Sequence, residues 1–475
     1  VSPAAARTPE AGWLEEARRI VAGHLLTDPA ELEKYSHDEL ATPLYNARPA
    51  AVLKPGSEQE VAELVRLCAR TGVPLTARGG GTGLAAACVP APGGVVLSLE
   101  RLDRVVEADP ANLAITVQAG LTLNRLNQEA EALGLYFPPH PGDEGACIGG
   151  LVATNAGGSR AVKYGTIRRF LLGLQVVLAS GQVLELGGKL LKRSTGYALM
   201  ELMLGSEGTL GIITRVTLAL LPKAGSIQTL VVSFEDLDRA LGAVPGLLAS
   251  GVVPCAVELL EHGVLACAER HLNRRWPASR GRASLMVILD GPDEDEVLRQ
   301  AQRVSEGLER AGALEVLLAE SPARQREILE LRSLLYEALR PATAELFDIC
   351  LPRSQIAGHV SFVHALEARH GISLPTYGHA ADGNLHTHFL RTSLADGVIG
   401  PELPGWRELL PVVRGELYAD AASRGGVISG EHGIGLAKKA YLEASLGKAA
   451  IEAMRAVKRA LDPQGILNPG KIFDL

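Results

Sequence analysis

Three glycine-rich segments crowd into positions 78–214 of the chain, and no other feature limits its fold as much. The first is Arg78-Gly79-Gly80-Gly81-Thr82-Gly83-Leu84, directly after an apolar run. The second is Pro141-Gly142-Asp143-Glu144-Gly145-Ala146-Cys147-Ile148-Gly149-Gly150, continued by Ala153-Thr154-Asn155-Ala156-Gly157-Gly158-Ser159. The third is Gly205-Ser206-Glu207-Gly208-Thr209-Leu210-Gly211-Ile212-Ile213-Thr214. Glycine removes the Cβ that would keep a ligand away from backbone N–H groups, so such loops suit a phosphate chain or a flat ring. One glycine run reads equally well as a tight turn; three together are hard to explain that way. Their spacing is not G-x-G-x-x-G leading into a helix and a ribose-binding acid, so a nicotinamide dinucleotide is not the natural ligand.

The surrounding pattern supplies strands and helices. Residues 51–55 read as a strand, and Ser57 with Glu60 three residues later reads as a capping box opening an amphipathic helix through Val61, Leu64, Val65 and Leu67. Further strands are predicted at 73–77, 94–99, 114–118, 174–178 and 211–220, and their alternation with helices indicates an α/β arrangement. Pro222-Lys223-Ala224-Gly225-Ser226 marks a domain boundary. Beyond it, strands at 228–234, 253–259, 284–290 and 313–318 alternate with helices, among them a strongly amphipathic one at 293–311. That spacing fits an antiparallel sheet with helices on one face. A helix at 448–461 is stopped by the turn Asp462-Pro463-Gln464-Gly465. The expected division is 1–222, 223–425 and a closing segment 426–475.

Composition narrows the function classes. A chain of 475 residues exceeds one compact core, so two or three domains are expected. Its formal net charge is −7 and it has no block of Lys and Arg, which sets nucleic acid aside as a partner. Six cysteines form no C-x-x-C pair and read as reduced thiols. There is no apolar run of the roughly 18 residues a membrane span needs. The first residues read as a short arm ahead of a helix at 13–24, without the basic start and apolar core of a secretion signal. Cytoplasm is the expected location, with peripheral contact at a membrane left open.

The motifs RGGGTGL, IGG-x-VATNAGG, GSEGTLGIIT and the closing DPQGILNPGK resemble those of flavoproteins of the vanillyl-alcohol oxidase and p-cresol methylhydroxylase type. The resemblance runs from about residue 51 to the C-terminus. It implies an α+β protein: a two-subdomain FAD-binding domain plus an α+β substrate (cap) domain with an antiparallel sheet. It further implies that Arg78 to Gly83 and the 141–150 segment, with Cys147 and Ile148, embrace the FAD pyrophosphate. Asn155, Ala156, Gly157, Gly158, Glu207, Gly208, Gly211 and Ile212 would lie along the flavin and adenosine. Asn468 would donate to the ring, with Lys471 near its electron-rich edge. Three positions depart from the family pattern: His140 for the commoner Asp, Cys147 for Thr and Leu151 for Asn. Thr82 stands where some relatives carry a flavin-linking His, so the expected FAD is non-covalent.

A second constellation lies far downstream. Gly378-His379-Ala380-Ala381-Asp382-Gly383-Asn384-Leu385-His386-Thr387-His388 holds three imidazoles, and Ser429-Gly430-Glu431-His432-Gly433 adds a carboxylate and a fourth. A D-G-N turn between His379 and His386 brings the two rings together, and His386 and His388 share a strand face. Two imidazoles and a carboxylate suit a borderline divalent metal, though a hydrogen-bonded polar turn explains the spacing as well. The pattern resembles the branch of D-lactate dehydrogenases, D-2-hydroxyglutarate dehydrogenases and the glycolate oxidase flavin subunit. That resemblance implies His379, His386 and Glu431 as ligands of a divalent metal, zinc in many members, and His432 as the base near the substrate hydroxyl. Arg332 and Arg353 resemble its substrate-side arginines. Ala381 replaces a usual Gly, which would disfavour a positive φ, and His388 is open as a further ligand or a substrate contact.

The chemistry implied is metal-assisted oxidation of a small D-2-hydroxy acid, with hydride passing to flavin N5. A partner would accept the electrons: a quinone, a cytochrome, an electron-transfer flavoprotein or an iron–sulfur subunit. A homodimer or a hetero-complex is compatible with the sequence. One alternative is a flavin-carrying subunit of a larger glycolate oxidase-like complex with catalysis elsewhere. Another is a non-redox relative that makes ether-lipid precursors on the same fold.

Overall fold

Ser57 opens the first long helix, Glu58–Thr71, by accepting the Glu60 N–H at 3.2 Å, while the Glu60 carboxylate returns to the Gly56 N–H at 2.8 Å. The return bond thus falls one residue before the cap. Val61, Leu64, Val65 and Leu67 on this helix are buried, each contributing about 1.5–3 kcal/mol by removal from water. A computed structural model describes residues 8–40 and 44–475 of the chain. The first seven residues of the expected N-terminal arm lie outside the described residues. One compact unit comprises the described part of Val1–Ala156 with Thr166–Lys223 and Glu431–Leu475; the other comprises Gly157–Gly165 and Ala224–Gly430.

The first unit holds two main sheets. In one, the order is Leu25–Leu26, Val52–Leu53, Val95–Ser98, Leu75–Arg78, and the last three strands are parallel. In the other, the order is Val105–Asp109, Ala114–Gln118, Ile212–Ala219, Leu171–Val177, Val183–Gly187, and every pairing is antiparallel. The α/β arrangement read from strand–helix alternation therefore holds for the first sheet alone. The outer strands of the second are half solvated, as only antiparallel sheets tolerate well. The chain's end joins the first sheet's edge. Leu75 N–H donates to Ile466 O at 2.8 Å and Asn468 N–H to Leu75 O at 2.7 Å, beside the strand that ends in the first glycine loop. Lys458 is buried and donates to Asp462, to Leu467 O at 2.8 Å and to Thr209 O at 2.7 Å, tying the tail to the third glycine segment.

The second unit is built on a seven-stranded antiparallel sheet, ordered Glu315–Leu318, Ser226–Phe234, Ala283–Gly291, Ala256–Glu261, Thr376–His379, Asn384–Leu390, Thr343–Cys350. Helices cover both faces, not one. Val231, Ala256, Leu260, Met286 and Ile288 pack against helices His262–Leu272 and Pro322–Ser333, while alternate residues such as Val232, Val257 and Val287 are also buried. Helices Leu237–Leu248 and Glu294–Arg310 pack on the strands as well. A sheet covered twice has near-continuous apolar strands, which removes the alternation that would reveal a second helical layer. Among the described residues, no helix is long and apolar enough to cross a membrane.

Candidate functional site

In the first unit the glycine segments meet. A Cβ on Gly79 would lie 2.9 Å from Cys147 Cβ, and one on Gly80 would lie 3.0 Å from Gly145 O, so the first and second segments touch through backbone that only glycine permits. Between them opens a cleft of about 540 Å³ lined by Tyr35, Gly79, Gly80, Thr122, Arg125 and Cys147 among others. Cys147 precedes the short helix Ile148–Thr154, and Gly149 sits so close to Ala119 that an added Cβ would fall 2.6 Å from its side chain. Arg78 lines the cleft, yet its guanidinium turns inward, donating to His37 O at 2.6 Å, Lys34 O at 3.1 Å and Cys88 Sγ at 3.1 Å. It therefore braces the loop from behind.

The third segment supports a different part of the same unit. Glu207, left-handed at φ 51, is buried and accepts the N–H groups of Ile434 at 2.7 Å and Gly435 at 2.8 Å. Burial pushes its carboxyl up, and the two backbone bonds oppose that. Asn468 Nδ2 donates to Glu207 O at 2.7 Å and to Ala87 O at 2.9 Å. Asn468 Oδ1 and Asp38 Oδ2 are buried with no hydrogen-bond partner among the described residues. Burial raises the Asp38 carboxyl to about 6 and lowers the buried Lys471 ammonium to about 8. Buried polar groups with unspent hydrogen-bonding capacity beside a Cβ-free cradle are what a polar heterocycle with a phosphate chain requires. Asn155, left-handed at φ 53, ends the short helix and accepts from Thr166 Oγ1 at 3.1 Å. Ala156 is buried and Ile212 begins a buried strand; Gly208 and Gly211 pack against Ala77 and Val176. Glu431 and His432 stand just before the Glu207-bound backbone, with His432 Nε2 3.9 Å from Glu431 Oε1.

The second unit holds the histidines. His379 ends the strand Thr376–His379 and His386 lies in Asn384–Leu390, the two strands forming an antiparallel hairpin. Their rings stand perpendicular with centroids 5.3 Å apart, and their facing nitrogens lie within 4.8 Å. The hairpin turn takes its left-handed residue at Gly383, φ 95, and not at Ala381, so the strain expected of that Ala does not arise. His379 Nδ1 bonds Glu258 Oε1 at 2.7 Å, and Arg332 Nε donates to Glu258 Oε2 at 2.7 Å. Burial alone would raise the Glu258 carboxyl; the Arg332 charge, with the hydrogen bonds from His379 and Arg332, outweighs it and holds the group at about 2. Asp348, fully buried, lies 3.9 Å from His386 Nδ1 and accepts from Asn384 Nδ2, Ser429 Oγ and Gly430 N–H at 2.8–3.0 Å.

His388 serves the sheet. Its Nδ1 bonds Thr343 Oγ1 at 2.8 Å and its Nε2 bonds the Tyr377 hydroxyl at 3.2 Å. Arg332 closes the helix Pro322–Ser333, whereas Arg353 is exposed on the turn Arg353–Gln355. Gly157 and Gly158 begin the segment Gly157–Gly165, which belongs to the second unit and is held there by Lys163 and Tyr164 on Asp290. Sequence reasoning missed Glu258, Asp348 and Asp38. The first two left a trace: each is an acid flanked on both sides by apolar residues inside a strand, Val257-Glu258-Leu259 and Phe347-Asp348-Ile349, where only a partnered carboxylate is tolerated.

Comparison with known proteins agrees with this layout. Residues 49–187 match the family described as FAD binding domain, and residues 223–472 match FAD linked oxidases, C-terminal domain. A D-lactate dehydrogenase of Anaerostipes hadrus is 37% identical over 98% of this chain and 97% of its own length. The glycolate oxidase subunit GlcD of Bacillus subtilis is 37% identical over 92% of each chain. The crystal structure of p-cresol methylhydroxylase with substrate bound shares the fold, with a TM-score of 0.78 at 17% identity over 98% of each chain.

Proposed function

The chain belongs to the p-cresol methylhydroxylase-type family of FAD-linked oxidases, and from that premise we propose that it oxidises a small D-2-hydroxy acid to the 2-oxo acid with a divalent metal at His379 and His386. The observation that carries the reading is the histidine pair itself: two buried imidazoles face each other, and each has a buried carboxylate beside its Nδ1. The Glu258 bond leaves the His379 Nε2 lone pair for a cation, and zinc suits two imidazoles and one carboxylate. Glu431 supplies that carboxylate in this reading. It follows directly on Gly430, whose N–H is anchored to Asp348 beside His386.

FAD, when bound, would supply the two-electron acceptor, and a divalent metal held by His379, His386 and Glu431 would lower the pKa of a substrate hydroxyl. The chain's own residues do the rest. His432 takes the hydroxyl proton, for which an imidazole has the right basicity. Arg332 and Arg353 orient the substrate carboxylate by charge-assisted bonds. Gly79, Gly80 and the 141–150 segment hold the pyrophosphate, without a covalent link at Thr82. An external acceptor would reoxidise the flavin: a quinone, a cytochrome, an electron-transfer flavoprotein or an iron–sulfur subunit.

Anaerobic mixing with D-lactate, glycolate and D-2-hydroxyglutarate tests the reading. Flavin absorbance at about 450 nm should bleach with at least one acid, more slowly after chelation, and His432→Ala should lose bleaching while keeping FAD. Persistence of the oxidised spectrum with all of them would overturn the assignment. Similarity to a glycolate oxidase subunit supports a second reading, in which the chain is the flavin-carrying part of a hetero-complex. Native mass together with activity of the isolated chain separates the two.

A further inference from the structure

We propose that Glu258 is a positioning residue, one buried carboxylate that aims a metal ligand, His379, and a substrate-side arginine, Arg332, from the same strand. The inference rests on the metal reading above. Glu258 lies in the middle of the strand Ala256–Glu261, directly across from His379 in the antiparallel register. Strand alternation places it on the face of Ala256 and Leu260, which belong to an apolar cluster with Leu331, Leu335 and Tyr377. Its side chain is 0% exposed. Burying a carboxylate there is costly, and replacing a buried ion pair such as Glu258–Arg332 as a whole by apolar residues of similar volume is often neutral or stabilising. Stability alone does not account for the acid.

Its bonds do. An ionised carboxylate only accepts hydrogen bonds, so His379 must carry its proton on Nδ1, and Nε2 keeps a lone pair directed away from Glu258. Tautomer and ring orientation are thereby set together, as they are for imidazoles that bind metals. The other carboxylate oxygen holds Arg332 through Nε and Nη2, and the Tyr377 ring lies 5.1 Å from the same guanidinium. Arg332 is thus fixed against the strand that carries the metal ligand. The protein has a second trio of imidazole, carboxylate and guanidinium: His359 Nδ1 bonds Asp420 Oδ2 at 2.7 Å, and Arg424 Nε bonds the same oxygen at 2.7 Å. Among the described residues no second imidazole stacks on His359, so that trio is an internal control for stability without ligation.

The test uses the FAD-loaded protein stripped with a chelator and measures zinc affinity by competition with a chromogenic chelator. The parent should bind one zinc per chain. Glu258→Gln keeps an acceptor but can also turn its amide donor toward Nδ1, so the tautomer is no longer imposed; zinc affinity should fall about 10–100-fold with FAD content unchanged. Glu258→Gln/Arg332→Met, which leaves no stranded cation, should regain any lost thermal stability without regaining zinc affinity. Asp420→Asn should lower stability and leave zinc binding as in the parent. Parent-like affinity in Glu258→Gln, or an equal loss in Asp420→Asn, overturns the inference alone. A parent that binds no zinc overturns it together with the metal reading, while bleaching by a hydroxy acid still reports the substrate class separately.

Discussion

Replacing Gly79 with Ala tests the cradle at its narrowest point. The added Cβ falls 2.9 Å from Cys147 Cβ, against an ordinary carbon–carbon contact of about 3.5–4.0 Å, and Gly79 is not among the positive-φ residues. The perturbation is therefore steric and not a backbone strain. Overpacking of this kind costs about 1–3 kcal/mol. Because the two loops that must separate are the ones proposed to hold the pyrophosphate, the expected effect is on ligand affinity: an FAD Kd raised about 5- to 150-fold. The relieving change is Cys147→Gly. It removes the Cβ that is struck, and glycine is a tolerable residue at the N-cap Cys147 occupies. Titrating deflavinated protein with FAD and following the quench of flavin fluorescence gives all four affinities of the cycle. The coupling energy should be favourable by about 0.5–3 kcal/mol, with the double variant binding more tightly than Gly79→Ala alone. Unchanged affinity in Gly79→Ala, or a double variant no better than the single one, would refute the contact between the loops as the reason for glycine.

Three further outcomes are expected. Glu207→Ala strands the buried N–H groups of Ile434 and Gly435, at about 1–3 kcal/mol each, and should lower the denaturation midpoint; Glu207→Gln, which still offers one acceptor, should lose less. Asp38 is raised from 3.8 to about 6 chiefly by burial, so the unfolded chain ionises first, and stability should fall from pH 4 to 6 and stay lower above it; Asp38→Asn should remove that slope and gain up to about 3 kcal/mol at pH 7.5 in urea titrations of the deflavinated protein. Acid precipitation should release the flavin into the supernatant, and yellow protein in the pellet would show a covalent bond that the Thr82 substitution argues against.

Local patterns were legible wherever the chain acts on its near neighbours. Ser57, the amphipathic helix after it, the 114–118 strand and the 448–461 helix all follow from spacing and capping chemistry, and the structure reproduces them within a residue or two. The pairing direction of the strands was not legible, because alternation of strand and helix is compatible with an antiparallel sheet once the strands that pair are far apart in sequence, as 171–177 and 212–219 are. The second helical layer over the seven-stranded sheet was hidden for a related reason: a strand buried on both faces shows no period to read.

The candidate site divides the same way. Glycine loops at Gly79, Gly80 and Gly149, and the His379–turn–His386 hairpin, were evident from residue types, since a missing Cβ and an imidazole are properties of single positions. What those residues touch was not. Only the folded register set Glu258 across from His379, Asp348 beneath His386, and Glu207 under the backbone after His432. Only packing turned the Arg78 guanidinium onto the carbonyls of Lys34 and His37. The sequence by itself determined which chemistry is present: loops that admit a phosphate chain and side chains of the kind that can bind a cation. Tertiary structure decided which of these groups are oriented and how they are charged, because a hydrogen-bond partner and a degree of burial belong to a pair of distant positions and to neither one alone.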